Sequence, residues 1–326
     1  MDAQLFDLLR CPDTGQRFKL EQAEEREGRA RSGWLVSPGS GKRYPIREFI
    51  PRFVPESNYA DSFGFQWKRY ARVQLDSHTG LTLSRDRLFR TTGWSEDMRG
   101  KRILEAGSGA GRFTEILLGT GADVYSFDYS AAVEANAASN GSNPRLHLFQ
   151  GDLFAIPFEQ GTFDKVLCLG VIQHTPDPQA AFRSLARQLR PGGELAIDVY
   201  AWRLSALLHW RFLLRPITKR MNKVALNRAV ETLTPRLLPL AIFLRRIGGR
   251  LGARLVPVAE FSALGLPAQL HRQWAILDTF DWYSPAYDFP QTLKTVRRWF
   301  GEAGLVDVTV EYGPNGIIGR GRRPAA

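Results

Sequence analysis

The chain has 326 residues, of which 44% are hydrophobic and two are cysteines, and its formal net charge is +11. That length holds one large domain or two to three small ones, and that apolar content excludes a disordered chain. Cys11 and Cys168 give no disulfide framework, no apolar run reaches membrane-spanning length, and the acidic N-terminus lacks a signal-peptide profile, so the expected setting is cytoplasmic.

Residues 1–55 read as a small β unit. Leu8-Leu9-Arg10-Cys11-Pro12-Asp13-Thr14 and Val36-Ser37-Pro38-Gly39-Ser40, followed by Tyr44-Pro45-Ile46, resemble a zinc-ribbon domain with its two C-x-x-C knuckles. Thr14, Ser37 and Ser40 stand where three of the four cysteines belong, and zinc needs four ligands that are normally thiolate or imidazole. The expectation is a degenerate ribbon without metal, built on Trp34, Tyr44, Ile46, Ile50 and Phe53. Residues 56–100 read as a helical connector. Tyr59, Phe63, Phe65, Trp67 and Tyr70 cluster there beside Gln66, and His78 lies in the polar run 74–80, where it either reaches a site or makes a local hydrogen bond.

The run Ile103-Leu104-Glu105-Ala106-Gly107-Ser108-Gly109-Ala110-Gly111-Arg112-Phe113 predicts a strand that ends on a carboxylate, a turn with three alternating glycines, and a helix. Glycine admits positive φ and lets a ligand lie against the backbone, and the helix start offers free N–H groups. A dinucleotide fingerprint would need its third glycine at 112, where Arg112 stands. Val124–Asp128 predicts a second strand whose terminal acid lies about 20 residues on, where a ribose diol would be held. Further strands are predicted at Leu146–Phe149, Phe163–Gly170 and around Leu195. The C-terminal region adds a helix near Trp299, a strand through Val306, Val308 and Val310, and a last one from Gly316 to Arg320.

The E-x-G-x-G-x-G pattern and the order of the motifs that follow resemble the class I S-adenosylmethionine (SAM) methyltransferases, in their broad small-molecule subgroup. The resemblance covers 102–200 and 290–320. It implies an α/β fold with a Rossmann-like seven-stranded sheet, a core at 101–202 and 290–326, and a basic helical insertion and lid at 203–289 after the fifth strand. It also implies SAM as cofactor: Glu105 and Gly107, Ser108, Gly109 and Gly111 at the methionine end, Asp128 and Tyr129 at the ribose, Asp152 and Leu153 at the adenine, Gly170 at the fourth strand end, and Gln66 and Trp67 from a cap that closes over the cofactor.

His174 follows the fourth strand by four residues, at the crevice of an open α/β sheet, and its intrinsic pKa suits a base at neutral pH. Related O-methyltransferases carry a histidine in an H-x-P-D motif like His174-Thr175-Pro176-Asp177, as base in some and as a loop-shaping residue in others. Asp177 reads as a helix N-cap with Pro178 at the first position. In the insertion, Leu207, Trp210, Leu214, Ile217 and Met221 form an apolar stripe beside Arg211, Arg215, Lys219 and Lys223. Leu237, Leu240, Ala241, Leu244, Ile247 and Leu251 form a second, beside Arg245, Arg246, Arg250 and Arg254. Between Arg203 and Arg254 there are twelve Lys or Arg and one acid, Glu231, so this segment carries the whole +11. Such stripes suit a membrane surface or lipid-linked acceptor, or a protein or homo-oligomer interface; nucleic acid fits them less, since aromatics for base stacking are not interleaved. The segment 277–289 alternates Asp278, Asp281 and Asp288 with Phe280, Trp282, Tyr283 and Tyr287, a lid composition suited to a polyol. Asp278, Asp281 and Tyr283 are therefore acceptor candidates, with His78. No third acid or histidine at ligand spacing accompanies these acids, and no metal is expected.

The function that follows is SAM-dependent O-methylation of a sugar, glycan or lipid-linked saccharide, in the cytoplasm or at the inner face of a membrane. An N-methyltransferase is the alternative, weakened by Leu169-Gly170-Val171-Ile172 where relatives carry N/D-P-P-Y/F. A non-catalytic SAM-binding module is a third reading.

Overall fold

The computed structural model describes residues 1–55, 58–202 and 210–325. A short helix α1 (Ala3–Leu8) precedes a four-stranded antiparallel sheet made of β1 (Lys19–Arg26), β2 (Arg29–Val36), β3 (Arg43–Arg47) and β4 (Ile50–Pro51), in that spatial order. Tyr44, Ile46 and Ile50 are buried within it, Phe53 packs on Tyr44 and Phe18, and Trp34 is half-buried under the Arg43 guanidinium. The knuckle positions Cys11, Thr14 and Ser37 meet. Thr14 Oγ1 and Ser37 Oγ are 3.3 Å apart. Burial raises the Cys11 thiol pKa, and hydrogen bonds with Ser37 and Thr14 lower it, leaving it below a free cysteine's value. Ser40 Oγ instead accepts from the Lys42 amide.

The connector forms α2 (Asp61–Arg69), α3 (Asp76–Thr79) and α4 (Leu83–Thr92). The core then alternates β5 (Arg102–Ala106), α5 (Arg112–Gly119), β6 (Asp123–Asp128), α6 (Val133–Asn140), β7 (Leu146–Gln150), β8 (Phe163–Leu169), α7 (Pro178–Arg187) and β9 (Leu189–Val199). These strands carry continuous apolar runs because both sheet faces are covered, which is the pattern of a buried parallel sheet. Asp177 caps α7 by accepting from the Ala180 amide, with Pro178 at the first helical position. The insertion is helical: α8 (Trp210–Thr218), α9 (Lys223–Ala253) and α10 (Ala268–Tyr283). Then α11 (Leu293–Glu302), β10 (Val306–Gly313) and β11 (Gly316–Arg322) complete the chain.

The large sheet has the order β10-β11-β9-β8-β5-β6-β7, parallel except where β11 joins β9 and β10 joins β11. This is the seven-stranded Rossmann-like sheet expected from the sequence. Strand order reverses between β5 and β8, and a crevice opens at the carboxyl ends there. The N-terminal sheet docks on the β7 edge through Phe53 N to Gln150 O and Asp2 to His147 Nδ1. Leu5, Leu9 and Leu35 join the core that contains Tyr125, Phe149 and Phe163.

The insertion departs from the amphipathic reading. Leu207 lies outside the described residues. Trp210 and Leu214 pack on the α10 cluster, but Ile217 and Met221 are exposed, and of the cationic row beside them Arg211, Arg215 and Lys223 turn inward while Lys219 stays exposed. Arg211 and Arg215 both pair with the buried Asp288, Arg215 also donates to Pro285 O, and Lys223 Nζ donates to Ser284 O. A buried carboxylate without its cation would cost about 3–5 kcal/mol, more than the roughly 1.5–3 kcal/mol of leaving one aliphatic side chain such as Ile217 exposed. Asp288 thereby decides which face of α8 is buried. The first half of the expected lid segment 277–289 is helix: α10 runs on through Tyr283.

Candidate functional site

The turn after β5 shows why its glycines are required. Gly107 has φ +80°, and a Cβ there would fall inside Val171; a Cβ on Gly111, φ +91°, would overlap the Asn136 and Asn140 side chains. With no side chains in the way, the turn folds back so that Gly107 N and Ser108 N both donate to Phe127 O. Gly109 N donates to Asp128 Oδ2 at 2.9 Å, while Asp128 Oδ1 accepts from Ser130 N at 2.9 Å and Ser130 Oγ at 2.7 Å. The terminal acid of β6 is thus held against the glycine turn.

Above this turn lies a cavity of 790 Å³. Gly107, Ser108 and Gly109 form its floor, with Asp128, Tyr129, Gly151, Leu153 and Gly170 from the neighbouring strand ends. Helix α2 covers it with Phe63, Gln66 and Trp67, the Trp67 indole lying against Gly109. Helix α10 supplies the far wall with Asp278, Asp281 and Trp282. Gln66 Oε1 and Ser108 Oγ are buried there without a hydrogen-bond partner, among the described residues. Unpaired buried polar atoms at a cavity wall suit a ligand that carries its own donors and acceptors.

Glu105 is placed differently from its expected role. It is 2% exposed, lies beneath the turn, and does not line the cavity. Its Oε2 accepts from Thr114 Oγ1 at 2.5 Å and Ser126 Oγ at 2.7 Å, and Oε1 has no partner among the described residues. Burial pushes its pKa up to about 7. The folded state therefore favours the protonated form, and the stability gained at low pH is lost as pH rises from about 4.5 through about 7. That amounts to about 3 kcal/mol. Glu105→Gln is expected to flatten this dependence, so that denaturant midpoints of wild type and variant converge near pH 4.5 and diverge by pH 8. Parallel curves would refute the buried-carboxyl account.

Asp152 also lies off the cavity lining, with Oδ1 accepting from the Phe154 amide. His78 is exposed on α3, away from the cavity, and Tyr283 is buried in the hydrophobic cluster with its hydroxyl on Pro257 O at 2.8 Å. Neither meets an acceptor in the cavity: His78 caught no inward face on a four-residue helix, and Tyr283 falls on the side of α10 opposite Asp281. Asp278 and Asp281, one helical turn apart, share the inward face.

His174 sits on a short 3₁₀ turn after β8, buried between Phe63 and Tyr200. Its Nδ1 lies 2.9 Å from Tyr287 O, and a carbonyl only accepts, so Nδ1 carries the proton. Nε2 is left with its lone pair. Burial lowers the His174 pKa below its ordinary value, against the pull of Asp281 and Asp288. Tyr200 OH donates to Asp281 Oδ2 at 3.3 Å, and Arg211 stacks over the Tyr200 ring at 4.5 Å. Burial and the neighbouring Asp281 push Asp278 up to about 7, against Arg112. Gln74 bridges the two: its Nε2 donates to Asp278 Oδ1 at 3.1 Å, and Arg112 Nη1 donates to its Oε1 at 2.6 Å.

Several cavity residues were missed from sequence. Arg87 from α4 makes a two-pronged pair with Asp198 on β9, joined by Asn315. Asp198, near the end of an apolar strand, had the same signal that marked Asp128; Arg87 and Asn315 had none.

Residues 104–197 match the family model described as a methyltransferase domain. An uncharacterized protein of Synechococcus sp. is 37% identical over 116 residues, 34% of this chain and 28% of that one. A ubiquinone biosynthesis O-methyltransferase of Xanthomonas oryzae pv. oryzae is 34% identical over 105 residues, 31% of this chain and 44% of that one. The chain thus spans under half the length of these curated relatives. A solved structure of a SAM-dependent methyltransferase from Methanosarcina mazei aligns over 72% of this chain and 95% of that one, with 15% identity and a TM-score of 0.42.

Proposed function

We propose that this chain, which carries a class I SAM-dependent methyltransferase domain with SAM as its cofactor, methylates a hydroxyl of a polar acceptor in the sugar, glycan or lipid-linked saccharide class. The observation that carries the reading is the fixed tautomer of His174: a neutral imidazole with Nε2 unprotonated lines the same cavity as the glycine turn. The relatives named as ubiquinone biosynthesis O-methyltransferases support an oxygen acceptor, over the core segment alone.

The bound cofactor supplies an electrophilic methyl on a sulfonium. Asp128 would accept from a hydroxyl of the ribose diol and Tyr129 and Leu153 would flank the nucleoside side, while Asp152, off the cavity lining, is not assigned to the adenine. Gly107, Ser108 and Gly109 with Gln66 and Trp67 would hold the methionine end, Gly111, off the cavity lining, lets the turn pack on Asn136 and Asn140, and Glu105 supports the turn from below. Displacement at a methyl needs an aligned lone pair, so positioning supplies much of the rate. Asp281 and Asp278 accept from acceptor hydroxyls, Gln74 held by Arg112 fixes Asp278, Tyr200 fixes Asp281, and Trp282 gives a flat apolar face. His174 Nε2 takes the proton of the acceptor hydroxyl as its oxygen attacks the methyl group.

The test is incubation of a host extract with the full chain and isotopically labelled SAM, followed by mass spectrometry. A labelled product heavier by one methylene and carrying an O-linked methyl is expected, with release of S-adenosylhomocysteine. An N-linked product, or SAM binding without turnover on any fraction, overturns it.

A further inference from the structure

The outward face of α9 is apolar where a solvated helix face is ordinarily charged. At about 100° of turn per residue, Leu233, Arg236, Leu240, Phe243 and Ile247 fall within about 80° of arc. All five are exposed, Phe243 to 57% and Ile247 to 71%. Beyond the break at Gly249, Leu251 and Leu255 stay exposed, at 73% and 67%. The other side of the helix along this stretch is already covered: Thr234, Leu238 and Ala241 are buried, and Ala241 packs with Val256 and Val258.

The surface is cationic as well. Arg228, Arg236 and Arg246 are exposed on or beside the apolar arc. The single acid of 203–254, Glu231, is turned away and bound by Arg69 Nε at 2.6 Å and Tyr70 OH at 2.7 Å. A second copy of the chain would lay arginine on arginine. A polyanion such as nucleic acid would neutralise the guanidiniums and leave the leucines, Phe243 and Ile247 in water. An anionic lipid surface satisfies both sets, with aliphatic side chains at the acyl boundary and guanidiniums among phosphates. The face also runs toward the cavity, since Arg254, just past α9, and Phe261 line its wall.

We propose that the outward face of α9 docks on an anionic lipid surface, with the cavity mouth beside it. That an amphiphilic acceptor enters from this surface rests on the methyltransferase reading above; the docking does not.

The full chain is floated with vesicles of equal phosphatidylglycerol and phosphatidylcholine, and with phosphatidylcholine alone, at low and high salt. Binding to the anionic vesicles is expected, weaker on the order of tenfold on phosphatidylcholine and weakened by salt. The double variant Phe243→Ser with Ile247→Ser is expected to lose on the order of tenfold in binding, and Arg236→Gln with Arg246→Gln several-fold. Both variants replace exposed side chains, so melting temperature and calorimetric SAM affinity stay at wild-type values. Equal binding to both vesicle types, no binding, or variants that bind like wild type overturn the proposal. So does a dimer in sedimentation equilibrium that the Phe243 and Ile247 variant disperses, if vesicles go unbound. SAM affinity is read without vesicles and flotation without SAM, so failure of one reading is distinguishable from failure of the other.

Discussion

Asp128→Ala is expected to weaken SAM binding by roughly 10 to 10²-fold. The carboxylate is fixed before any ligand arrives, by Ser130 N, Ser130 Oγ and Gly109 N. A carboxylate has about four acceptor directions; Oδ1 uses two on Ser130 and Oδ2 one on Gly109 N, so one is left on Oδ2 for a ribose hydroxyl. A hydrogen bond to a charged group contributes about 1.5–3 kcal/mol, which is the predicted loss. The substitution also leaves Gly109 N without its acceptor, which loosens the turn. Asp128→Asn separates the two contributions: it keeps the shape and one acceptor and is expected to fall between wild type and alanine. Calorimetric titration checks this, with melting temperature read alongside. An alanine variant within threefold of wild type sinks the assignment of Asp128 to the ribose.

Asp128 was legible because its evidence is local: an apolar strand, a terminal acid and a fixed distance from three glycines. The same holds for the strand order, since parallel strands joined by short helices leave few topologies. The inward turn of Arg211 and Arg215 was not legible. Helical spacing shows that α8 has an apolar row and a basic row, but not which is buried, and the deciding partner Asp288 lies more than seventy residues on. Glu105 reads from sequence as a ligand contact because it ends the strand before the glycines. Its side chain points below the turn, where Thr114 and Ser126 wait, and alternation along a strand buried on both faces gives no hint of that. Tyr283 and Asp281 are two residues apart in a segment that reads as a loop; as a helix, that spacing sends them to opposite sides.

His174→Ala is expected to lower kcat by about 10² to 10⁴-fold while leaving SAM affinity within a factor of two. The imidazole touches the cavity on the acceptor side, between Phe63 and Tyr200, rather than on the turn that faces Asp128. A histidine kept only to shape its loop would behave otherwise. Its bond to Tyr287 O pins the 284–291 segment, so its removal would lower melting temperature and acceptor affinity together. His174→Gln tests this, since its side-chain amide can still donate to Tyr287 O but is no base: a base role predicts a kcat as low as alanine's, a loop role predicts rescue. The pH profile adds a second readout. Burial holds the His174 pKa below its ordinary 6.5, so Nε2 is unprotonated throughout the neutral range and its own titration leaves kcat unchanged there. As pH falls through that lowered pKa the imidazole takes a proton, the base is lost, and kcat drops with it. Protonation is disfavoured in the folded state, so acid also lowers stability, but only below about 6.5. Asp278, poised at about 7, adds a shallower step nearer neutrality that Asp278→Asn removes while the acid limb remains. An acid limb that survives His174→Gln assigns the proton transfer to another group.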